Sequence, residues 1–258
     1  MRPEGNGRAM ERVAFVTGGA SGMGLSICEH LAREGHAVAV VDLDQAKAQE
    51  AADAIRESGG KAIACVVDVS DREQVEDAVK QTQSDLGTVG IVVTSAGVAR
   101  SEPFVGISLA SWNQVMAVNL TGTFNCVQTV VPGMIEAGWG RVVLISSSSA
   151  QRGAPTMTHY AASKGGVIAF GKTLALELAP QGITVNNIAP SAIWTPMVEQ
   201  QQSGGALGSK EALTRNIPVG RLGTGDDIAA ACTFLCSDGA SYVTGQTISV
   251  NGGSFVGW

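Results

Sequence analysis

Short runs of Val, Ile and Ala alternate with helical segments along the whole chain. Examples are "AVAVVD" at residues 37–42, "VGIVVTSAG" at 89–97 and "GRVVLISSS" at 140–148. Continuous apolar runs of this kind are typical of strands that a parallel sheet buries on both faces. Their alternation with helices predicts an α/β fold, a single-domain doubly wound parallel sheet with helices on both faces.

The domain organisation follows from the same alternation, because no linker or repeat interrupts it. We expect one domain over residues 11–258, preceded by a flexible polar leader at residues 1–10. The longest irregular stretch, residues 196–225, contains "SGGALGS" and predicts a mobile flap over a site. Ser70 and Glu73 predict a capping box at the start of a helix.

Charge and hydropathy exclude two classes of partner. The formal net charge is −6 and Lys and Arg do not cluster in the sequence, so no basic footprint for nucleic acid or an anionic membrane is expected. No apolar run reaches the roughly 18 residues of a membrane span. The polar N-terminus has no apolar signal-peptide core.

The cysteines argue against a metal site. They number five, no C-x-x-C occurs, and Cys232 and Cys236 form only a bare i, i+4 pair. We therefore expect buried free thiols, no bound metal and a reducing cytoplasmic location.

A glycine-rich turn, "VTGGASGMG", joins the first strand to the first helix. Gly18, Gly22 and Gly24 allow positive φ angles and close approach of a ligand to the backbone. The helix that follows offers free N–H groups and the positive end of its dipole. The turn, with Ser21 and Met23 inside it, is predicted to bind a pyrophosphate.

The second strand ends in an acidic residue, Asp42. A carboxylate at this place accepts hydrogen bonds from ribose hydroxyls and repels a 2′-phosphate. No Lys or Arg lies in Gly18–Gly24 or beside Asp42, so we predict NAD(H) in preference to NADP(H). The alternative is that Asp42 and Asp44 only cap a helix.

The stretch "HYAASK" places Tyr160 four residues before Lys164. On a helix the two side chains share a face. A phenol titrates near ~10, whereas a general acid/base works best when its pKa lies near the working pH. An ammonium and a positively charged nicotinamide nearby would stabilise the phenolate. The pair is therefore a candidate for proton transfer.

Four motifs together carry a resemblance to a known family. They are "TGGASGMG", "YAASK", Ser147 in "ISSSSA" and Asn119 in "VNLTG". The chain resembles a short-chain dehydrogenase/reductase from about Arg12 to Gly253, which implies a Rossmann fold and a nicotinamide cofactor.

The resemblance also implies roles for four catalytic residues. Tyr160 would exchange a proton with the substrate oxygen, and Lys164 would hold the nicotinamide ribose and lower the pKa of Tyr160. Ser147 would hydrogen-bond the substrate oxygen, and Asn119 would hold a water molecule in a proton relay. Tyr160 and Lys164 would thus also contact the cofactor.

Further cofactor contacts are implied at three strand ends. They are Asp68 and Val69 at the adenine, Ala96 and Gly97 beside the ribose, and Pro190, Ile193 and Thr195 in the segment that holds the carboxamide. Two departures stand out, because "TSAG" at 94–97 replaces the family's N-N-A-G and Ser191 replaces its glycine. Hydrogen bonding around the fourth strand must therefore differ, and the backbone path after Pro190 is left open.

The substrate pocket is expected to include Ser149, Met157 and Trp194. Trp194 lies between two carboxamide-binding positions at the start of the predicted flap. His159 is interpreted as a bystander, because neighbouring helix positions point about 100° apart.

The leading hypothesis is an NAD(H)-dependent dehydrogenase that acts reversibly on a small-molecule secondary alcohol and its ketone. The alternative is a 3-oxoacyl-(acyl-carrier-protein or CoA) reductase, and a remote one is a non-catalytic NAD-binding sensor. The apolar C-terminal "GGSFVGW", with the usual assembly of the family, predicts a homotetramer.

Overall fold

The computed structural model describes residues 11–195, 198–199 and 210–257. The predicted leader at residues 1–10 lies outside the described residues, as does much of the first half of the predicted flap. Within the part that is described, no helix is both long and apolar enough to cross a membrane.

Seven parallel strands form one sheet in the order β3-β2-β1-β4-β5-β6-β7. Strands β1 to β3 follow one another towards one edge of the sheet, and strands β4 to β7 follow one another towards the other edge. This is the doubly wound arrangement, so the predicted fold class is confirmed. The strands are β1 Val13–Thr17, β2 Ala37–Asp42, β3 Lys61–Val66, β4 Val89–Thr94, β5 Gly140–Ile145, β6 Ile183–Pro190 and β7 Thr247–Val250.

Helices connect successive strands and cover both faces of the sheet. They are α1 Gly22–Arg33, α2 Gln45–Glu57, α3 Arg72–Asp85, α4 Leu109–Met116, α5 Gly122–Ala137, α6 Ser149–Arg152, α7 Thr158–Leu178, α8 Lys210–Thr214 and α9 Gly225–Cys236. A π-helical turn, Ala117–Thr121, joins α4 to α5 without a break.

Two apolar cores lie on opposite faces of the sheet because its strands carry apolar residues on both sides. Every residue of β1, β5 and β6 is buried. One core packs side chains of α3, α5 and α7 against the sheet. The other packs side chains of α1, α2 and α9 against the opposite face. These layers fix the carboxyl ends of the strands along one edge.

The turns after β1 and β4 meet where the topology switches. Thr17 is the register partner of Thr94 at the ends of these two strands. A Cβ on Gly18 would lie only 2.9 Å from the backbone nitrogen of Ala96, so the two turns are in contact. In sheets of this type, ligands bind in the crevice at this point.

The predicted capping box is wrong by one residue. Asp71, not Ser70, is the N-cap of α3, and its carboxylate accepts from the backbone N–H groups of Glu73 and Gln74. The Ser70 hydroxyl instead donates to Asp68, with 2.6 Å between the oxygens. A carboxylate two positions back competes successfully for the hydroxyl that a capping box needs.

The second half of the predicted flap contains ordered contacts. It includes α8, the buried side chains of Ile217 and Leu222, and a β-bridge between Gly223 and Ile193. Its mobility stays a prediction.

Candidate active site

The glycine turn has the backbone geometry that the sequence predicts. Gly18 and Gly22 have φ angles of 64° and 53°, and a Cβ on Gly24 would overlap the carbonyl oxygen of Gly18. In the described part of the chain, Ser21, the N-cap of α1, makes no side-chain capping bond. The first N–H groups of α1 therefore face the crevice and are available to an anion.

A cavity of about 380 Å³ lies above the carboxyl ends of β1, β2 and β4. It brings together most of the residues predicted to bind the cofactor. These are Gly18, Ser21, Gly22, Met23, Gly24, Asp42, Asp68, Val69, Ala96, Gly97 and Thr195.

Seven further wall residues were not singled out from the sequence: Val41, Leu43, Val67, Ser95, Val98, Gln114 and Val118. Most of them adjoin a predicted contact in the chain, so their strand-end positions were the available signal. The sequence signal for Gln114 was weaker. It lies one helical turn before Val118, on the face that leads to Asn119.

Asp42 is held in place by two turns. Its Oδ2 accepts from the backbone nitrogen of Ala20 at 3.1 Å, and its Oδ1 accepts from that of Asp44 at 3.2 Å. Asp44, by contrast, is the N-cap of α2 and accepts from the nitrogen of Lys47. The capping alternative is thus correct for Asp44, whereas Asp42 lines the cavity.

The cavity fits a dinucleotide. A backbone cradle without side chains lies over the N-terminus of α1, and a carboxylate stands at the end of β2, as pyrophosphate and ribose binding require. Among the described residues, no Lys or Arg lines the cavity.

Asn119 connects the cavity wall to the helix of the tyrosine. It is fully buried in the π-helical turn. Its side chain accepts from the nitrogen of Val98 at 2.8 Å and donates to the Val98 carbonyl at 3.0 Å. The same amide donates to the Ser163 hydroxyl on α7 at 3.0 Å. Its predicted part in a proton relay stays a prediction.

Ser147, Tyr160 and Lys164 lie together beside this wall. Ser147 is buried just after β5, and its hydroxyl lies near enough to the Tyr160 phenol to lower the pKa of that phenol. The Lys164 ammonium donates to the carbonyl of Ile145 at 2.8 Å. A Cβ on Gly97 would lie 3.5 Å from Nζ of Lys164. Lys164 therefore adjoins the cofactor cavity at Gly97, and Tyr160 precedes it by one turn of α7.

Burial shifts the pKa values of both titratable groups. Desolvation raises the pKa of Tyr160, and the hydrogen bond with Ser147 acts in the opposite direction. Desolvation lowers the pKa of Lys164 to about 8. Lys164 is not among the groups that shift Tyr160 in this structure. The lowering of the Tyr160 pKa expected from Lys164 stays a prediction for the protein with its cofactor.

The segment after β6 differs from the other strand ends. Pro190 accepts a hydrogen bond from the nitrogen of Ser148, and Ile193 is buried in its bridge to Gly223. Neither lines the cavity, although Thr195 does. Ala192 has a φ of 51°, an unusual value for a residue with a side chain. The backbone after Pro190, whose path the sequence did not determine, therefore contains one residue in the left-handed region.

The three predicted pocket residues do not line the described cavity. Ser149 begins α6 and donates its N–H to the Ser147 hydroxyl at 3.1 Å. Met157 is the N-cap of α7. Trp194 is half-buried, and the Lys210 ammonium lies 4.8 Å from the centroid of its ring. Their contact with substrate stays a prediction.

Two polar side chains near these groups have no described partner. Neither ring nitrogen of the fully buried His159, nor the hydroxyl of Thr94, is hydrogen-bonded within the described ranges. Thr94 is the first residue of "TSAG", which departs from the family motif. In this segment the hydroxyl of Thr17 accepts a hydrogen bond from the backbone nitrogen of Ala96 at 3.1 Å. No group of three or more His, Cys, Asp or Glu in the same ranges is arranged to hold a metal ion.

The chain is similar to known proteins over most of its length. The family model described as "Enoyl-(Acyl carrier protein) reductase" matches residues 18–254. The chain is 41% identical to nodulation protein G of Azospirillum brasilense over 94% of its own length and 98% of that protein.

Two relatives carry the names of reductases. Identity is 39% with the acetoacetyl-CoA reductase of Rhizobium meliloti, over 95% of this chain and 99% of that protein. It is 37% with the 3-oxoacyl-[acyl-carrier-protein] reductase FabG of Haemophilus influenzae, over 95% and 98%. The crystal structure of gox2181 superposes with a TM-score of 0.90 at 34% identity and covers 96% of both chains.

Replacing Lys164 by Met should change how stability depends on pH. The pKa of Lys164 is about 8 in the folded protein and 10.5 for the ordinary lysine of the unfolded chain. Between these values the unfolded chain binds the proton and the folded protein does not, so the Lys164 contribution to stability rises with pH. Urea unfolding without cofactor measures it.

Relative to Lys164→Met, the wild-type protein should gain about 1 kcal/mol of unfolding free energy between pH 7 and pH 9. Thiols of the unfolded chain also titrate in this range, but they contribute equally in both proteins. A difference that stays flat or falls with pH would show that the ammonium is not desolvated.

Proposed function

The chain belongs to the short-chain dehydrogenase/reductase family, and we propose that it uses NAD(H) to interconvert 3-oxoacyl and 3-hydroxyacyl thioesters. It is an oxidoreductase of that family. The observation that carries the proposal is the position of Lys164, in contact with the wall of the dinucleotide cavity at Gly97 and on the same helix as Tyr160.

The relatives support the thioester substrate. Acetoacetyl-CoA reductase and 3-oxoacyl-[acyl-carrier-protein] reductase both carry names that specify reduction of a 3-oxoacyl thioester. They favour the second of the two substrate hypotheses from the sequence. A simple secondary alcohol is the other candidate. Asp42 favours this candidate, because it predicts NAD(H), whereas biosynthetic reductases of this family generally use NADP.

The protein's own residues handle the proton and the geometry. A bound nicotinamide would supply or accept the hydride. Ser147 donates a hydrogen bond to the substrate oxygen, which fixes the carbonyl for attack. Tyr160 gives its proton to the oxygen as negative charge develops there. Lys164 holds positive charge close to the phenol and favours its ionised form once the proton has left.

Asp42 supports NAD(H) as the preferred cofactor. Its carboxylate is fixed by two backbone N–H groups and lines the cavity at the end of β2. The next residue, Leu43, lines the cavity without offering a charge to a 2′-phosphate. All five cysteines are free and buried, which supports the proposal of a reducing, cytoplasmic location.

Two apolar surfaces support a homotetramer. A groove between α5 and α7 is lined by residues that include Phe124, Val131 and Phe170, and Phe124 is 40% exposed. After the edge strand β7, Val256 is 90% exposed. Two separate surfaces of this kind, each paired with its own copy across a twofold axis, give four chains.

A substrate panel tests the proposed reaction. NADH oxidation is followed with acetoacetyl thioesters and with simple aryl and alkyl ketones of similar size. We expect the highest kcat/KM with a thioester. Tyr160→Phe should lower kcat by about a hundredfold to ten-thousandfold and leave the Kd of NADH unchanged. Faster turnover of the ketones would favour the secondary-alcohol candidate, and full activity of Tyr160→Phe would remove the phenol from the mechanism.

The cofactor preference is tested with Asp42→Asn, which keeps the hydrogen-bond acceptor and removes the charge. The wild-type protein should prefer NADH, and the variant should narrow the ratio of kcat/KM for NADH and NADPH by about tenfold. Asp44→Asn is the matched control, because Asp44 caps α2 outside the cavity. An unchanged ratio in Asp42→Asn would contradict the role of Asp42.

Native mass measurement tests the assembly. We expect four chains for the wild-type protein, and two for Phe124→Glu, whose buried charge would open the α5–α7 surface only. A monomeric wild-type protein at micromolar concentration would overturn the proposal.

A further inference from the structure

Four cations on α2 and α3 have a carboxylate partner: Lys47, Arg56, Arg72 and Lys80 each form an ion pair with an Asp or Glu. Three cations in loops and short helices at the carboxyl edge have no such partner in the part of the chain that is described. Among the described residues, no carboxylate lies within ion-pair distance of Arg100, Arg152 or Lys210. We call these three the rim cations.

Arg100 is held at the cavity wall by a neutral partner. Its guanidinium donates to the side-chain oxygen of Gln114 at 2.6 Å, and Gln114 lines the cofactor cavity. Arg100 itself is exposed. The nearest carboxylate in sequence, Glu102, accepts from the hydroxyl of Ser111 at 2.7 Å. The positive charge of Arg100 is therefore positioned but not neutralised.

Lys210 is held by an aromatic ring. Its ammonium lies 4.8 Å from the ring centroid of Trp194, a distance at which the ring attracts a cation without cancelling its charge. Trp194 precedes Thr195, which lines the cavity. Lys210 thus marks the rim on the side of β6.

Hydrogen bonds join the segments that carry the rim cations. The nitrogen of Glu102 donates to the carbonyl of Thr156, in the connection between α6 and α7. Ser148, directly before α6, donates to the carbonyl of Pro190 at the end of β6. Arg152 is exposed at the end of α6. These bonds join the segments of Arg100 and Arg152 to each other and to the end of β6, and the segment after β6 carries Trp194, the partner of Lys210.

From this arrangement we infer that the rim cations bind the phosphate groups of coenzyme A, so that the substrate is a CoA thioester. The inference rests on the proposed thioester reaction. The pantetheine arm separates the thioester from the diphosphate, so cations for the phosphates belong on the rim rather than beside Tyr160.

The overall charge argues for CoA over a carrier protein. The chain has a net charge of −6 and would repel a strongly acidic protein over its whole surface. A small polyanion instead meets only the local positive field at the rim, within a Debye length of about 8 Å.

Direct binding tests the inference without turnover. Calorimetry with CoA, at saturating NAD⁺ so that the cofactor cavity is closed to it, should give a measurable Kd for the wild-type protein. Arg100→Gln and Lys210→Met should each raise that Kd by about fivefold, and the variant lacking all three rim cations by more than about tenfold. Arg100→Lys should restore most of the loss. Arg33→Gln, an exposed arginine at the end of α1, is the control.

Kinetics with two thioesters separates the inference from the proposed reaction. The rim variants should raise KM for acetoacetyl-CoA with kcat retained, and leave KM for acetoacetyl-N-acetylcysteamine, which has no phosphate, unchanged.

If CoA does not bind, or binds equally well to the wild-type protein and the rim variants, the inference is overturned even if thioesters are reduced. Higher kcat/KM with an acyl-carrier-protein thioester than with the CoA thioester would overturn the choice of CoA. Binding of CoA that depends on the rim, without turnover of any thioester, would overturn the proposed reaction and the CoA thioester as its substrate, and would leave only the rim cations as a binding site for CoA phosphates.

Discussion

One buried amide, that of Asn119, joins the chain segments on which the site depends. Its side chain bonds to both backbone groups of Val98 and to the Ser163 hydroxyl. Loss of the amide would leave the Val98 groups without these partners, at a cost of about 1–3 kcal/mol for each group. Gly97, next to Val98, is both a wall of the cofactor cavity and a neighbour of Lys164. The amide thus ties the cavity wall at Val98 to α7, the helix that carries Tyr160 and Lys164.

The features that follow from local pattern were predictable from the sequence. Continuous Val and Ile runs such as β2 identify strands buried on both faces, and their alternation with helices leaves few topologies. Glycines at positive φ are needed wherever the chain turns sharply under a ligand, so Gly18 and Gly22 could be identified. Asp42 followed from its place at a strand end, because the ends of adjacent parallel strands share one edge.

The features that depend on long-range contacts were not predictable. The contact between Arg100 and Gln114, and that between Lys210 and Trp194, join residues far apart in sequence, so the cations never appear as a cluster in the chain. Competition between neighbouring polar side chains for the same hydrogen bond also made the start of α3 hard to predict. Asp68 takes the Ser70 hydroxyl, and Asp71 caps α3 instead. The burial that raises the pKa of Tyr160 likewise arises only when α7 packs beside β5.

In the proposed reaction, a nicotinamide gives hydride to the carbonyl carbon of the substrate and Tyr160 gives a proton to the carbonyl oxygen. Isotope transfer tests this most directly. The protein is supplied with acetoacetyl-CoA and with NADH deuterated at the transferable position of the nicotinamide, and the product is analysed by mass spectrometry and NMR. We expect one deuterium on the carbinol carbon of the 3-hydroxyacyl product. Reduction of the substrate without deuterium on that carbon would contradict it.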